Sequence, residues 1–284
     1  EITALYRKLL QRSITISSDF GGAMNILVCL KIVSQATFTD SLTDNDDRLS
    51  GGRLGINPAD AYALELALRI KDNAPETMVT VVTMAPSYAE NALRDAIAAG
   101  ADHAVLVCDS ALAGSDTLVT ANIIAAAINR LGGFDLILCG RKAIDSETGH
   151  IAPQLSERLG LPIAAAVTAF AIDGDTLRIC CTNDGVSAEY EGAVPAVLSV
   201  CNGTDMVRSP TVMGMRRSKK AVIEHLTLAD IGISAENAGL HGSPTRTAAV
   251  ETMSFRKGKK CVCTDADAGA QALIELIKGG KRDE

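Results

Sequence analysis

Short apolar runs alternate with amphipathic stretches along the first half of the chain. Asn25 to Lys31 (NILVCLK), Met78 to Met84, His103 to Cys108 and Phe134 to Cys139 are runs of Val, Leu, Ile and Cys, as expected of strands buried on both faces. Between them the apolar period changes to that of a helix. Asn57-Pro58 opens one such segment, with Pro suited to the first helical position and Asn to the cap before it. Ala61, Leu64 and Leu68 then recur on one face, and Glu65 stands four residues before Arg69. Ser87 to Ala99, stopped by Gly100, and Thr117 to Leu131 repeat the pattern. Strands alternating with helices predict βαβ crossovers and an α/β fold with a mostly parallel, doubly wound, Rossmann-like sheet. Ligands of such sheets bind beyond the carboxyl ends of the strands, where Cys29, Met84 and Gly140 would converge.

The pattern changes after Pro162. Ile163 to Ile172, Thr176 to Thr182 and Val194 to Val200 read as further strands, with Asp173-Gly174-Asp175 as a turn, and are expected to add antiparallel strands to the sheet. The polar stretch from Ser34 to Arg53 reads as a loop or irregular hairpin. From Asn202 the chain becomes loop-rich, the basic cluster Arg216-Arg217-Ser218-Lys219-Lys220 reads as solvated loop, with docking onto an acidic protein surface or a phosphate group as the alternative, and Ala266 to Lys278 reads as a late helix. Residues 1–23 are expected to be an extension outside the fold, 24–201 the nucleotide-binding α/β domain, and 202–284 a recognition loop with an extended C-terminal arm ordered against another subunit.

Composition narrows the chemistry. The formal net charge is −7 and aromatic residues make up 3% of the chain, with no Trp, so neither a basic footprint nor stacking platforms point to nucleic acid. No apolar run reaches the length of a membrane span. Most cysteines sit inside strand-like runs, where a thiol behaves as a small hydrophobe, and a reducing cytoplasm is the expected setting. The four histidines show no metal-ligand spacing, and Walker A, GxGxxG and GxSxG patterns are missing. No catalytic set and no metal site are therefore assigned.

The stretch from Leu136 to Leu159 carries the most chemistry. A strand runs into a Gly-Arg-Lys turn and an acidic loop, and a helix is expected to restart near Ser146. Unpaired N–H groups at such a helix start suit phosphates, and Gly140 would let the chain pass close to a ligand. Every strand-to-helix connection needs a Gly or a cap, so this pattern alone leaves a nucleotide site and an ordinary connection both open.

Three motifs together resemble the β subunit of electron-transfer flavoproteins: Ile26 to Lys31, Asn57-Pro58-Ala59-Asp60, and Gly140-Arg141-Lys142-Ala143-Ile144-Asp145. The resemblance runs from Met24 to about the end of the chain. It implies a heterodimer with an α subunit, and an adenine nucleotide held by this subunit. The corresponding residues are Cys29, Asn57, Pro58, Ala59, Asp60, Met84, and the loop Gly140, Arg141, Lys142, Ala143, Ile144, Asp145, Ser146, Glu147, Thr148, Gly149, His150 and Ile151. Cys139-Gly140-Arg141, Thr148 and Pro153-Gln154 match the electron-bifurcating members better than the AMP-binding ones. FAD is accordingly favoured with AMP as the alternative, and NADH becomes a candidate electron donor. Two positions depart from the family pattern, His150 for a frequent Gln and Ala59 for an aromatic. Physically, Arg141 can neutralise a pyrophosphate, Thr148 can donate through its hydroxyl, and Asp145 or Glu147 can accept from a ribose.

A second resemblance covers Arg208 to Met215, similar to the family's segment for engaging a dehydrogenase. It marks Arg208, Val212, Met213 and Met215 as partner-binding residues. The segment from Ser243 to Thr247 is similar to one that wraps the α subunit. The partners implied are the α subunit, an acyl-CoA dehydrogenase-type protein, and ferredoxin as a further acceptor. A stand-alone nucleotide-binding regulatory or stress-type protein of the same fold class is the alternative.

Overall fold

In the computed structural model the described residues are 22–34, 54–201, 207–249 and 265–278. Strand β1 (Asn25–Cys29) is followed by β2 (Ile32–Ser34), which pairs antiparallel with β3 (Leu54–Ile56). The expected loop or hairpin is thus closed at its base by two short strands, and residues 35–53 lie outside the described residues. Helix α1 (Pro58–Asn73), β4 (Met78–Met84), α2 (Glu90–Ala99), β5 (His103–Val107), α3 (Thr117–Leu131), β6 (Leu136–Gly140) and α4 (Ile151–Leu159) then alternate. Asp116 caps α3 by accepting the Val119 N–H at 3.0 Å, one of the orphan donors at a helix start.

The second half adds β7 (Ile163–Asp173), β8 (Thr176–Asn183), β9 (Val186–Ala193), β10 (Ala196–Val200), α5 (Val212–Lys220), β11 (Glu224–Leu226) and a short α6 (Gly239–Gly242). The main sheet has nine strands in the order β11-β5-β4-β1-β6-β10-β7-β8-β9. All pairings from β11 to β7 are parallel, and β7-β8-β9 is an antiparallel extension. One core lies between the sheet and helices α1 and α2, around Ile26, Val28, Leu66, Leu93 and Ile97. The other lies on the opposite face against α3 and α4, around Leu27, Val105, Ile123, Ile137 and Leu155. Each fully buried Leu or Ile contributes about 1.5–3 kcal/mol. An aliphatic core suffices because sheet and helices approach closely over Ala-rich faces.

Three expectations change. Strand β9, VSAEYEGA, was not foreseen; it lies largely exposed at the sheet edge, although Val186, Ala188 and Tyr190 alternate with Ser187, Glu189 and Glu191 at the period of a strand. Strand β10 is parallel, inserted between β6 and β7, so the antiparallel part begins only at β8. The basic cluster is not a solvated loop. It forms the last turns of α5, capped at its start by Thr211, whose Oγ1 accepts the Gly214 N–H at 2.9 Å. Positive charge near a helix carboxyl end is favourable. Arg217 turns inward and donates to the carbonyls of Ile97 (2.7 Å) and Ala101 (3.1 Å) at the end of α2.

The compact unit built on this sheet runs through Arg246, so α5 and β11 belong to it, and residues 247–284 form another unit. Within that second unit, Ala266–Lys278 is helix α7. Among the described residues no helix is long and apolar enough to cross a membrane.

Candidate functional site

Chain direction sets the site. From β1 the chain moves outward to β4 and β5 on one side of the sheet, and from β5 it crosses back to β6 on the other side of β1. The carboxyl ends of β1 and β6 therefore flank the point where strand order reverses, the usual ligand position in open α/β sheets.

The first turn of α1 is inserted there. Asp60, buried, accepts the Lys31 N–H at 2.7 Å through Oδ2 and the Gly140 N–H at 3.0 Å through Oδ1. One carboxylate thus joins the ends of β1 and β6. Burial pushes its carboxyl up to about 7, opposed by those N–H groups, the Asn57 amide and the Lys31 charge. Asn57, fully buried, does not cap its own helix. Its carboxamide donates to the Lys142 carbonyl and accepts the Ile144 N–H, both at 3.1 Å. Pro58 and Ala59 follow in the same turn, Pro58 exposed and Ala59 buried.

A Cβ on Gly140 would lie 2.3 Å from Oδ1 of Asp60 and 2.7 Å from Ala59 atoms. The missing side chain admits helix α1, a close neighbour that the sequence reading did not foresee. Cys29 and Cys139 face each other across adjacent strands inside the core. The hydrogen bond with Cys29, together with burial, pushes the Cys139 thiol well up. Cys29 is thus an interior residue, while Met84 is half-buried at the end of β4.

Residues 141–150 form a surface loop. Helix α4 starts at Ile151 instead of near Ser146, because Glu147 (φ 51°) and Gly149 (φ 66°) adopt left-handed backbone that interrupts a helix. Pro153 removes a further donor from the helix start. Before that interruption the Glu147 N–H closes a single turn on the Ala143 carbonyl at 2.8 Å. Side chains fix the loop from outside. Lys31 pairs with Asp145 at 2.6 Å and reaches Ser146 Oγ at 3.4 Å, Lys142 pairs with Glu147 at 3.0 Å, and Thr117 Oγ1 lies 3.4 Å from His150 Nδ1. Ile144 and Thr148 remain exposed.

Arg141 extends from the loop toward β8, where its guanidinium donates to Asn183 Oδ1 at 3.0 Å and lies 3.8 Å from Cys201 Sγ. Both partners are neutral, and among the described residues no carboxylate pairs with it. A cation in that setting, in the same loop as the Ser146 and Thr148 hydroxyls, has the chemistry to pair with the phosphates of an adenine nucleotide. Lys31, Thr117 and Asn183 escaped the sequence reading. Lys31 stood at the end of a recognised strand motif, but Thr117 and Asn183 meet the loop only through the tertiary fold.

Arg208 is engaged within the chain. Its guanidinium binds Glu65 at 2.8 Å and Asp72 at 2.7 Å on α1, and its N–H donates to Glu65 Oε2 at 3.0 Å. Burial opposes ionisation of Glu65, but Arg208 and Arg69 outweigh it and hold that carboxyl below its usual range. Arg208 thereby anchors the chain just before α5. Val212, Met213 and Met215, on α5, are 63%, 73% and 45% exposed, an apolar surface beside exposed Arg216, Lys219 and Lys220. The following tail is held by Asp116, which accepts from Thr245 N–H and Oγ1 at 3.1 and 2.7 Å.

Comparison with known proteins adds an independent line. The sequence profile of the Electron transfer flavoprotein domain matches residues 50–231, which include α1, the loop and α5. The chain is 37% identical over 261 residues to the electron transfer flavoprotein subunit beta of Clostridium acetobutylicum, covering 90% of this chain and 98% of that protein. It is 32% identical over 264 residues to the same subunit of Megasphaera elsdenii, covering 89% and 96%. It is 35% identical over 257 residues to the caffeyl-CoA reductase-Etf complex subunit CarD of Acetobacterium woodii, covering 90% and 98%.

Proposed function

Because this chain belongs to the electron transfer flavoprotein family, as a β subunit, we propose that its loop from Gly140 to Ile151 holds FAD in preference to AMP. With an α subunit it then passes electrons between NADH or an acyl-CoA-type dehydrogenase and a further acceptor, by flavin-based electron bifurcation. Ferredoxin is the acceptor class this reading includes. The observation that carries the nucleotide assignment is the loop itself, tied by Asn57 and Lys31 to the strand-order reversal with the Arg141 charge left among neutral partners. A relative named for a caffeyl-CoA reductase complex supports a CoA-thioester enzyme as partner, and the exposed apolar and basic surface of α5 is where that partner docks.

Bound FAD would supply the exchange between two-electron and one-electron steps. The chain's own contribution is to hold and orient it. Arg141 neutralises phosphate charge, Ser146 and Thr148 donate hydroxyls, and the ion pair of Asp145 with Lys31 keeps the loop in register. The test is acid extraction of nucleotide from the chain co-expressed with its α subunit, followed by mass analysis. FAD in excess of one per heterodimer is expected, the α subunit holding the other. AMP in its place overturns the FAD assignment, and neither nucleotide in this subunit overturns the site.

A further inference from the structure

We propose that Asp60 is the positioning residue of this site and a proton-operated one: its ionised carboxylate locks the ends of β1 and β6 together, and protonation releases the loop. The proposal rests on the loop being a nucleotide site. Each carboxylate oxygen takes one main-chain donor, Lys31 from the end of β1 and Gly140 from the end of β6. A neutral acid keeps one full-strength acceptor, its carbonyl oxygen, while its hydroxyl oxygen accepts only weakly and without charge, so both bonds lose their charge assistance and one of them is weakened further. Gly140 is the first residue of the loop. The contact depends on glycine at this position, because a Cβ on residue 140 would lie 2.3 Å from Oδ1 of Asp60.

The charged and titratable groups facing Asp60 come from several elements. Lys31, at the end of β1, turns its amine to Asp145 of the loop. Cys29 of β1 and Cys139 of β6 lie beneath, with the Cys139 thiol driven toward its protonated form. From its own helix the neutral Asn57 amide leans on it. With burial as the dominant influence, the carboxyl titrates at about 7, so the lock changes state near neutral pH.

The sign separates this lock from general unfolding. A carboxyl raised above its ordinary value is penalised by burial in the ionised form, so acidification through about 7 relieves that penalty and does not weaken the fold through this group. Nucleotide retention falls over the same interval.

The experiment uses the full chain co-expressed with the α subunit, wild type and Asp60→Asn, whose amide must face one N–H donor. Affinity for added FAD and AMP is measured at about pH 6 and about pH 8, alongside hydrogen exchange of peptides carrying Lys31 and Gly140. Wild type is expected to bind about tenfold more weakly at the lower pH, the ratio of ionised fractions about a pKa near 7, and its Gly140 peptide to exchange faster. Asp60→Asn is expected to be weak, fast-exchanging and flat with pH. A flat wild-type profile, or Asp60→Asn with wild-type affinity and exchange, overturns the lock. If wild type binds neither nucleotide at any pH, the nucleotide reading fails, while the exchange data still decide the lock.

Discussion

Replacing Gly140 by Ala tests the packing on which the site depends. The new Cβ would fall 2.3 Å from Asp60 Oδ1, 2.7 Å from the carbonyl carbon of Ala59 and 2.7 Å from its Cβ. Two of these atoms are fixed by the backbone of α1, so no rotamer change clears the space and α1 must move away from β6. Overpacking of this kind costs about 1–3 kcal/mol. Moving α1 also stretches the 3.0 Å bond from Gly140 N–H to Asp60, a bond to a charged group worth about 1.5–3 kcal/mol. Together they amount to about 2.5–6 kcal/mol, a fall in melting midpoint of roughly 5–20 °C for a protein of this size. Gly133→Ala is the control, since nothing lies within 4 Å of its added Cβ. Scanning fluorimetry of both variants, co-expressed with the α subunit, reads the difference. A Gly140→Ala melting midpoint within about 2 °C of wild type, with unchanged hydrogen exchange at the loop, would refute the packing argument.

Three further substitutions address the parts around it. Arg141→Ala should reduce nucleotide retention with little change in melting midpoint, because the side chain is exposed and held by neutral partners; nucleotide content after gel filtration checks this, and Arg141→Lys should restore it only partly. Lys31→Ala should cost under about 1 kcal/mol, as a partly exposed ion pair does, yet raise exchange of the loop peptide holding Asp145; equal exchange would show that Asn57 alone suffices. Arg208→Ala should destabilise by about 2 kcal/mol by leaving buried Glu65 with Arg69. Glu65 ionises below its ordinary 4.5 in the fold, so its stabilisation is complete above about 4.5 and is lost as pH falls through the lowered value. Wild type should therefore lose stability more steeply than Arg208→Ala in that acid range, read by chemical denaturation.

What the sequence disclosed follows from where the signals are local. The buried parallel strands announced themselves as apolar runs, and Pro58 and Gly100 punctuated helices by local chemistry, whereas the Asn57 amide turned out to serve the loop and the Asp116 cap was not foreseen. Strand β9 was missed although Val186, Ala188 and Tyr190 alternate with Ser187, Glu189 and Glu191 at strand period; what the pattern does not disclose is that so exposed a segment completes the sheet edge. Helix α5 escaped because its exposed apolar residues and its basic turns lack a buried stripe, and its stability comes from docking on α2 through Arg217 and Gly214. The loop's membership was legible through its motif, but its supports were not. Asn183 and Thr117 lie 42 and 33 residues from the positions they contact, and nothing local marks either.

The same locality explains why the protein neighbour of Gly140 was not foreseen. Sequence logic demands glycine where backbone must approach something closely, and the nearest candidate in a strand-to-loop turn is a ligand. Here the close neighbour is a carboxylate of the protein. The consequence reaches function, because residues 141–150 are mostly exposed and bury too little apolar surface to order themselves. Their position is set by the Asp60 contact at their root, the Asn57 carboxamide at their middle, and the ion pair of Lys31 with Asp145 beyond it. Two of those three supports come from the first turn of α1. A substitution in that turn can therefore change nucleotide binding without touching nucleotide, whereas Arg141 acts on the ligand alone; that difference separates scaffold from contact in any survey of variants.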